Sequence, residues 1–284
     1  VSEAGLKRID QVDCREFKCP ISTSNGFGYC YHFASRSVYM VGSPNPSQHP
    51  AKAECFRLNA HTQLSGPMLR QARKEHGTVC LGDFIIAAGG KGINDEVLSS
   101  VEMSQVQDTQ KAGICNWQLV EALPRATYGN SMATSIYGSF FSLGGADSMG
   151  TVVSWVFQFE LKTGRWSDCS PMNQARAFFM CCSYRGKVFV AGGMGSDNNL
   201  LQSLEVYDVS TNKWTMLAQM PKTVARGQMM ATQGKLIVFP CPMKRSAKLS
   251  YEPILIYQID QDEWQVDAQV LDLPNVQLVA LTDD

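Results

Sequence analysis

The residue types that most often carry out chemistry are present in this 284-residue chain, but not at catalytic or metal-binding spacings. The four histidines form no HExxH or HxxxH pattern, and none of the ten cysteines forms a CxxC pair, so no metal site is indicated. The chain also contains no GxxxxGK[ST] phosphate loop and no GxSxG nucleophile elbow. These patterns favour a binding function without a cofactor over an enzymatic one.

The cysteines favour a reducing compartment. Cys30, Cys80, Cys181 and Cys182 lie in apolar, strand-like runs, where a thiol behaves as a small hydrophobic side chain. No Asn-x-Ser/Thr glycosylation acceptor occurs, although a secreted β-rich protein of this size often has both acceptors and disulfides. We therefore expect free thiols and a cytoplasmic protein, with the nucleus as a second location.

Charge and hydropathy argue against two classes of partner. The chain has 25 Lys+Arg and 26 Asp+Glu, a net charge of −1, which disfavours a broad nucleic-acid surface but leaves a local basic patch open. No apolar run approaches the roughly 20 residues that span a bilayer. We expect neither nucleic acid nor membrane as a partner.

The elements that must position any binding residues repeat along the chain. In the clearest copy, the apolar run 188–191 predicts a fully buried strand. Gly192 and Gly193 follow it and allow a tight turn. Residues 204–208 then alternate between polar and apolar, which predicts a half-buried strand, and Trp214 begins the next one.

Two independent markers repeat with a period near 48 residues. The glycine pairs are Gly89-Gly90, Gly144-Gly145 and Gly192-Gly193, with degraded copies at Gly42-Ser43 and Pro240-Cys241. The tryptophans are Trp117, Trp166, Trp214 and Trp264, at steps of 49, 48 and 50 residues. A period near 50 with four short strands per unit is typical of a propeller blade, in which the repeated tryptophan is a core residue.

The glycine pair, the Glu-Val-Tyr-Asp strand and the Trp after an Asn-Lys turn resemble kelch repeats over essentially the whole chain. The resemblance implies an all-β, six-bladed kelch β-propeller whose last blade is closed by both termini. We expect one domain over 1–284, with a split blade from the two ends. The expected ranges are blades at 21–70, 71–124, 125–174, 175–222 and 223–272, and the split blade at 1–20 plus 273–284.

Two sets of connections form one face of such a propeller, where binding residues concentrate. The first set lies about 14 residues before each glycine pair, and its pocket positions are Gly28, Glu75, Asn130, Phe178 and Arg226. The second set directly follows the glycine pairs. The predicted partner-binding residues from both sets are Arg226, Asn130, Arg176, Lys91, Glu75, Tyr128, Phe178, Arg73 and Ser196.

Arg226 is the expected anchor of this site. By resemblance to ligand-binding kelch proteins, an arginine at a pocket position points into the central pocket and binds an acidic side chain, which a guanidinium can pair bidentately. For Arg73 and Arg176 two roles stay open, namely bracing neighbouring blades and contacting a partner. Because Glu75 and Asn130 occupy two of the pocket positions, we expect neither a uniformly basic pocket nor a strongly acidic motif in the partner.

The chain resembles the C-terminal domain of BTB-kelch proteins, the substrate-recognition subunits of cullin-based ubiquitin ligases. This implies a non-enzymatic domain that recognises a target protein or short peptide motif, with an upstream BTB domain and helical linker that bind the cullin. One alternative is an actin-associated or scaffold kelch protein. Another is a copper-dependent oxidase, whose site needs Tyr, His and a modified Cys-Tyr pair. An upstream BTB domain would favour the first function and a signal peptide the oxidase.

Overall fold

The structure is a computed structural model in which the regular secondary structure is entirely β. The residues it describes are 26–32, 34, 37–43, 45–47, 52–57, 62–108, 113–135, 138–240, 244–245, 248–249 and 253–267. Within these ranges, no helix is long and apolar enough to cross a membrane.

The strands form five successive antiparallel sheets and one small hairpin. Sheet 1 contains β1 (Phe27–His32), β2 (Ser37–Gly42), β3 (Lys52–Arg57) and β4 (Thr62–Met68). Sheet 2 contains β5 (Gly77–Leu81), β6 (Phe84–Ala88), β7 (Val101–Asp108), β8 (Gly113–Ile114) and β9 (Gln118–Val120). Sheet 3 contains β10 (Ser131–Thr134), β11 (Ser139–Leu143), β12 (Val156–Glu160) and β13 (Arg165–Asp168). Sheet 4 contains β14 (Met180–Tyr184), β15 (Lys187–Ala191), β16 (Leu204–Asp208) and β17 (Lys213–Leu217). Sheet 5 contains β18 (Gln228–Thr232), β19 (Lys235–Phe239), β22 (Ile254–Gln258) and β23 (Glu263–Asp267), and β20 (Lys244–Arg245) pairs with β21 (Lys248–Leu249).

The five sheets are the blades of the propeller. Their first strands, β1, β5, β10, β14 and β18, neighbour one another in that order. Each sheet lies within one of the blade ranges expected from the sequence, and the all-β prediction is confirmed. The two segments of the expected split blade, 1–20 and 273–284, lie outside the described residues, so the count of six stays a prediction.

The apolar second strand of each blade is the centre of its core. Val188 to Ala191 in β15 are all buried, as the apolar run predicted, and β11 is buried along its whole length. A strand with blades on both sides excludes water from both faces, which explains an apolar run without alternation.

The glycine pairs join each blade to the next. The Gly90 N–H donates to the Thr127 carbonyl at 2.7 Å, and the Gly193 N–H donates to the Val224 carbonyl at 2.8 Å. A Cβ on Gly192 would lie 2.1 Å from that same carbonyl oxygen, and both glycines of the pair have positive φ. Only glycine therefore fits where one blade's backbone approaches the next so closely.

The repeated tryptophans also connect neighbouring blades. Trp117 is fully buried, whereas the other three are half-buried, so the core role expected from the sequence applies fully only to Trp117. The indoles of Trp214 and Trp264 donate to the Ser170 and Ala218 carbonyls, both at 2.8 Å, in the connection that leaves the preceding blade. Each of these rings thus packs on its own blade and is hydrogen-bonded to the one before.

A buried arginine–glutamate pair braces blade 2. The Arg73 guanidinium donates to the Gly89 and Ser100 carbonyls at 2.8 and 2.9 Å, and to the Glu102 carboxylate at 2.8 Å. Neither side chain of the ion pair is exposed. Burial lowers the pKa of Arg73, and the charge of Glu102 and the hydrogen bond to it oppose that change. The Glu102 carboxylate also accepts backbone N–H groups from residues 70 and 71, which fixes the connection that enters the blade.

Blade 4 repeats this arrangement residue for residue. Arg176 donates to the Gly192 carbonyl at 2.8 Å, to the Ser203 hydroxyl at 3.0 Å and to the Glu205 carboxylate. A fully buried guanidinium cannot reach a partner on the surface, so we assign Arg73 and Arg176 to bracing, one of the two roles left open by the sequence.

Blades 3 and 5 replace the whole triad. Arg, Ser and Glu become Thr127, Trp155 and Phe157 in blade 3, and Val224, Pro253 and Leu255 in blade 5. Neither blade 3 nor blade 5 keeps one charge of the pair without the other. This is physically expected, because an uncompensated buried charge costs several kcal/mol whereas an apolar replacement of both partners can be nearly neutral.

Blade 4 therefore allows a direct test of the brace. We expect Arg176→Val to cost about 3–5 kcal/mol of unfolding free energy, because it leaves the Glu205 carboxylate buried without its cation. The double variant Arg176→Val/Glu205→Leu, which copies the residues of blade 5, should cost less than the sum of the two single variants. Urea denaturation of the four proteins measures this, and strict additivity would show that the pair is not coupled.

His76 is a buried histidine between blades 1 and 2. Its two ring nitrogens have no hydrogen-bond partner among the described residues. A Cβ added at Gly42 would lie 2.4 Å from the His76 ring, and a Cβ added at Gly90 would lie 2.7 Å from the Cβ of His76. Phe179 fills the corresponding place in blade 4, against Gly144 and Gly193. Burial, together with the charge of Arg73, lowers the pKa of His76 from 6.5 to about 3, so the ring is neutral in the folded protein.

This histidine should make stability fall in mild acid. Because the folded pKa lies below the unfolded one, the contribution is complete above the unfolded pKa and is lost as the pH falls below it. Between pH 7.5 and pH 5 we expect a loss of about 2 kcal/mol from this group. His76→Phe, which copies Phe179, should lose that much less than wild type over the same interval in urea denaturation. Identical pH dependence of the two proteins would contradict a buried neutral His76.

Candidate partner-binding site

The site is built on one residue per blade, at the turn that leads into the first strand. These inner-ring residues are Gly26, Glu75, Gly129, Phe178 and Arg226. Each of the last four donates its N–H to the carbonyl of the preceding member, at 3.1 Å for Glu75, 2.7 Å for Gly129, 2.8 Å for Phe178 and 2.9 Å for Arg226. The hydrogen bonds thus run from blade to blade across all five described sheets.

The inner-ring residues of blades 2 to 5 share a left-handed backbone. The φ angles are 52° at Glu75, 63° at Gly129, 53° at Phe178 and 57° at Arg226. This conformation costs a non-glycine residue about 1–2 kcal/mol. Three residues with large side chains nevertheless adopt it here. Such backbone strain is typically found at functional positions, where the surrounding structure enforces it.

The two sets of connections are joined directly to each other. Lys74, Tyr128 and Ala177 each precede an inner-ring residue, and each exchanges two backbone hydrogen bonds of 2.8 and 2.9 Å with Lys91, Ala146 and Met194, respectively. This pairing brings Lys91 beside the inner ring, as the sequence predicted for one common face.

Five side chains form one charged and aromatic network at the inner ring. The Arg226 guanidinium lies 3.8 Å from the centre of the Phe178 ring, and the Lys91 ammonium lies 3.8 Å from the centre of the Tyr128 ring. The two rings meet edge to face at 6.2 Å. The contacts of Arg226 with Phe178 and of Lys91 with Tyr128 are cation–π contacts, which fix a cation in place while leaving its outer side open.

Glu75 joins the two cations. Its carboxylate lies 3.3 Å from Arg226 Nη2 and 3.7 Å from Lys91 Nζ, through different oxygens. The side chain of Glu75 is 17% exposed, that of Lys91 24% and that of Arg226 37%, so the carboxylate is the most covered of the three. The Arg226 side chain is thus partly exposed and already has a carboxylate partner from within the chain, and its role as an anchor stays a prediction.

Exposed apolar side chains accompany the network. The connections between the second and third strands of blades 2, 3 and 4 carry Ile93, Met149 and Leu200, which are 55%, 89% and 41% exposed. Ser196 is exposed in the same connection of blade 4. The sequence-based search for charged and hydroxyl groups missed the apolar residues, although all three follow a glycine pair within eight residues.

A second ion pair flanks the network on blade 2. The Lys74 ammonium lies 2.6 Å from the Asp95 carboxylate and, by hydrogen bonding and by its charge, lowers the pKa of that carboxyl group. The face therefore combines charges, aromatic rings and apolar tips, which suits recognition of another molecule's side chains. Within the described residues, no group of three or more His, Cys, Asp or Glu side chains could hold a metal ion.

Asn130 was predicted one position too far along the chain. The inner-ring residue of blade 3 is Gly129, and Asn130 is buried, with its amide donating to Ser142 Oγ at 3.1 Å. The shift arises because β10 and β11 begin eight residues apart, whereas the corresponding strands of blades 2, 4 and 5 begin seven apart. In blade 1 the inner-ring residue is Gly26 rather than Gly28, which lies within β1.

The structure thus brings together five of the nine predicted residues, namely Glu75, Lys91, Tyr128, Phe178 and Arg226. It places Arg73, Arg176 and Asn130 in the interior and Ser196 at an exposed loop. Gly129, which the sequence did not single out, allows the network to form because a Cβ there would lie 2.8 Å from the Phe178 ring.

Gly129→Ala should therefore disturb the network, whereas Gly138→Ala should not. Both glycines have positive φ, so both variants should lose about 1–2 kcal/mol of unfolding free energy. Only the first displaces the Phe178 ring, because Gly138 has open space around it. Side-chain NMR of Arg226 reports the displacement, and an unchanged Arg226 Nε–Hε resonance in Gly129→Ala would contradict the proposed packing.

Six cysteines carry free thiols, namely Cys30, Cys80, Cys115, Cys169, Cys181 and Cys182, and all four that were predicted to lie in strands do so. Burial raises the pKa of Cys181 to about 12, and that of the adjacent Cys182 is also raised by burial. Both thiols are therefore protonated and poorly nucleophilic at neutral pH.

Comparison with known proteins gives a consistent assignment. The sequence model of the KLHDC2/KLHL20/DRC7 Kelch-repeats domain matches residues 75–274. Kelch-like protein 38 of Rattus norvegicus is 26% identical over 245 residues, covering 83% of this chain and 39% of that protein. Kelch-like protein 15 of Homo sapiens is 26% identical over 265 residues, covering 84% and 42%, and Kelch-like protein 38 of Homo sapiens is 30% identical over 243 residues, covering 83% and 39%. The chain thus spans about two fifths of the length of these relatives. Together with the bladed all-β fold, these matches show that the chain belongs to the family of kelch-repeat proteins.

Proposed function

We propose that this kelch propeller is a non-enzymatic receptor for a segment of another protein, which docks on the face formed by the inner ring and Lys91. The observation that carries the proposal is the network of five side chains. Two cations are held in place by aromatic rings and an internal carboxylate, and the connections that follow the glycine pairs of blades 2, 3 and 4 carry exposed apolar side chains. Aromatic and arginine anchors of this kind contribute most of the energy at protein interfaces.

In the whole protein, we further propose, this propeller supplies the target-recognition part of a cullin-based ubiquitin ligase. The support is the family and the resemblance to BTB-kelch proteins, in which the cullin is bound by a separate domain. A reducing compartment, the cytoplasm with the nucleus as a second location, belongs to the same proposal because the described thiols are free. Co-precipitation of a cullin with the full-length protein, but not with residues 1–284 alone, is the result expected.

Actin binding and oxidase activity are the two alternative functions, and each has its own test. Co-sedimentation of the propeller with actin filaments would favour a structural kelch protein. Copper-dependent oxidation of small alcohols or aldehydes would favour the oxidase. No observation within the described residues favours either over docking of a protein segment.

The receptor function is tested by comparing what wild type and an Arg226→Ala variant capture. Arg165→Ala is the matched control, because that side chain is 78% exposed on an outer strand, away from the inner ring. A partner of the face should bind wild type and Arg165→Ala equally and Arg226→Ala at least about tenfold more weakly by calorimetry, a difference of about 1.4 kcal/mol. Equal affinity for all three proteins, at equal melting temperatures, would remove Arg226 from the interface.

A further inference from the structure

The guanidinium of Arg226 is covered on one face and along one edge. Its carbon lies over the Phe178 ring, 3.8 Å from the ring centre. Its Nη2 donates to Glu75 Oε1 at 3.3 Å, and among the described residues the guanidinium makes no further hydrogen bond. The Arg226 side chain is nevertheless 37% exposed. The flat face that points away from Phe178 is therefore open to a partner.

Glu75 makes a second carboxylate a poor ligand for this guanidinium. A guanidinium pairs bidentately with a carboxylate along one edge, and Glu75 already occupies a donor of one such edge. A partner's carboxylate at the other edge would lie close to the Glu75 carboxylate, whose repulsion opposes the attraction of Arg226. Lys91, at 3.7 Å from the same carboxylate, leaves the network only a single excess positive charge. Glu75 thus fills the place that an acidic side chain of a partner would take.

The surroundings of the guanidinium suit a ring better than a charge. Phe178 and Tyr128 are half-buried and pack on a small buried cluster of Ala146, Val152 and Ala177. The connection that carries the 89% exposed Met149 reaches this cluster of rings, because a Cβ on the next residue, Gly150, would lie 4.0 Å from the Tyr128 hydroxyl. An apolar or aromatic ligand would therefore meet aromatic and apolar side chains beside the open face of Arg226.

We infer that the segment bound by this face presents an aromatic side chain, which stacks on the open face of the Arg226 guanidinium. This inference rests on the proposed receptor function. Arginine stacks on aromatic rings because its cation is planar, delocalised and weakly hydrated, and an uncharged ring meets no repulsion from Glu75. The guanidinium then lies between two rings, that of Phe178 and that of the partner. Glu75 determines the specificity, since it disfavours acidic side chains at the same place.

The test uses residues 1–284 and three capped amino acids as probes, namely N-acetyl-tryptophan amide, N-acetyl-leucine amide and N-acetyl-glutamic acid α-amide. The first offers an aromatic ring, the second an apolar side chain without a ring and the third a carboxylate. Each is titrated to about 50 mM, because a single stacking contact supports only millimolar binding. NMR follows the Arg226 Nε–Hε resonance and the backbone amides of Phe178 and Gly227.

We expect wild type to bind the tryptophan probe at least about threefold more tightly than either other probe, with an upfield shift of Arg226 Hε under the added ring. Arg226→Lys keeps the charge but has no flat face, so it should bind the tryptophan probe at least about threefold more weakly. The backbone amides report binding in this variant.

Glu75→Gln tests the specificity. It should bind the glutamate probe at least about threefold more tightly than wild type does and leave the affinity for the tryptophan probe within about twofold. The matched control is Glu263→Gln, which removes the same charge from an exposed residue of the outer strand β23 and should change neither affinity.

Equal affinity for the tryptophan and leucine probes, no shift with the tryptophan probe, or unchanged tryptophan binding in Arg226→Lys would overturn the inference. Tighter binding of the glutamate probe than of the tryptophan probe to wild type would overturn it in favour of an acidic segment. The comparison of the three probes on wild type decides alone if a variant melts at a lower temperature.

These outcomes are separable from those of the receptor test. A captured partner that binds Arg226→Ala more weakly but Arg226→Lys as tightly as wild type would leave the receptor function standing and remove the aromatic ligand, since a charge alone would then suffice. A partner that binds both variants as tightly as wild type would remove both proposals.

Discussion

The inner ring is the constraint on which the rest of this propeller depends. In each of blades 2 to 5, one backbone position adopts a left-handed conformation and donates a hydrogen bond to the corresponding position of the blade before. Three of these positions hold Glu75, Phe178 and Arg226, whose backbone strain must be offset by their surroundings. The glycine pairs offset part of it, because they bring neighbouring blades close enough for the connections to bond. The result is that residues separated by 151 positions, such as Glu75 and Arg226, meet as an ion pair.

The braces beneath the ring show that the repeat preserves geometry rather than chemistry. Blades 2 and 4 use a buried Arg–Ser–Glu triad two residues before the inner ring, whereas blades 3 and 5 use uncharged residues at the same places. Both solutions hold the entering connection in one conformation. Within the described residues, no hydrogen bond or ion pair joins an inner-ring side chain to a brace, so the residue type at this position can vary. Function in this fold therefore changes at the ring and at the loop tips without disturbing the blades.

Much of the fold followed from periodicity, because a blade needs an apolar strand, a glycine turn and an aromatic ring at fixed spacing. The burial of β15 and the positive φ of the glycine pairs agree with what their residue types predicted. Asn130 was misplaced because the spacing between the starts of β10 and β11 is one residue longer than in blades 2, 4 and 5, which changes the period too little to be noticed. Arg73 and Arg176 could have been recognised as braces, since each is followed 29 residues later by a glutamate. The pairing of Glu75 with Arg226 carries no such signal, because it depends on how blades 2 to 5 curve around one centre.

Amide hydrogen exchange of the inner ring tests the central claim most directly. The N–H groups of Glu75, Gly129, Phe178 and Arg226 lie in turns, where exchange is ordinarily fast. If the ring of hydrogen bonds holds the blades and the binding network together, these four amides should exchange as slowly as those of β10 and β14. Exchange at the rate of the exposed loop tips around Ile93 and Met149 would contradict the account, since the side chains of the network would then be attached to a backbone without a fixed conformation.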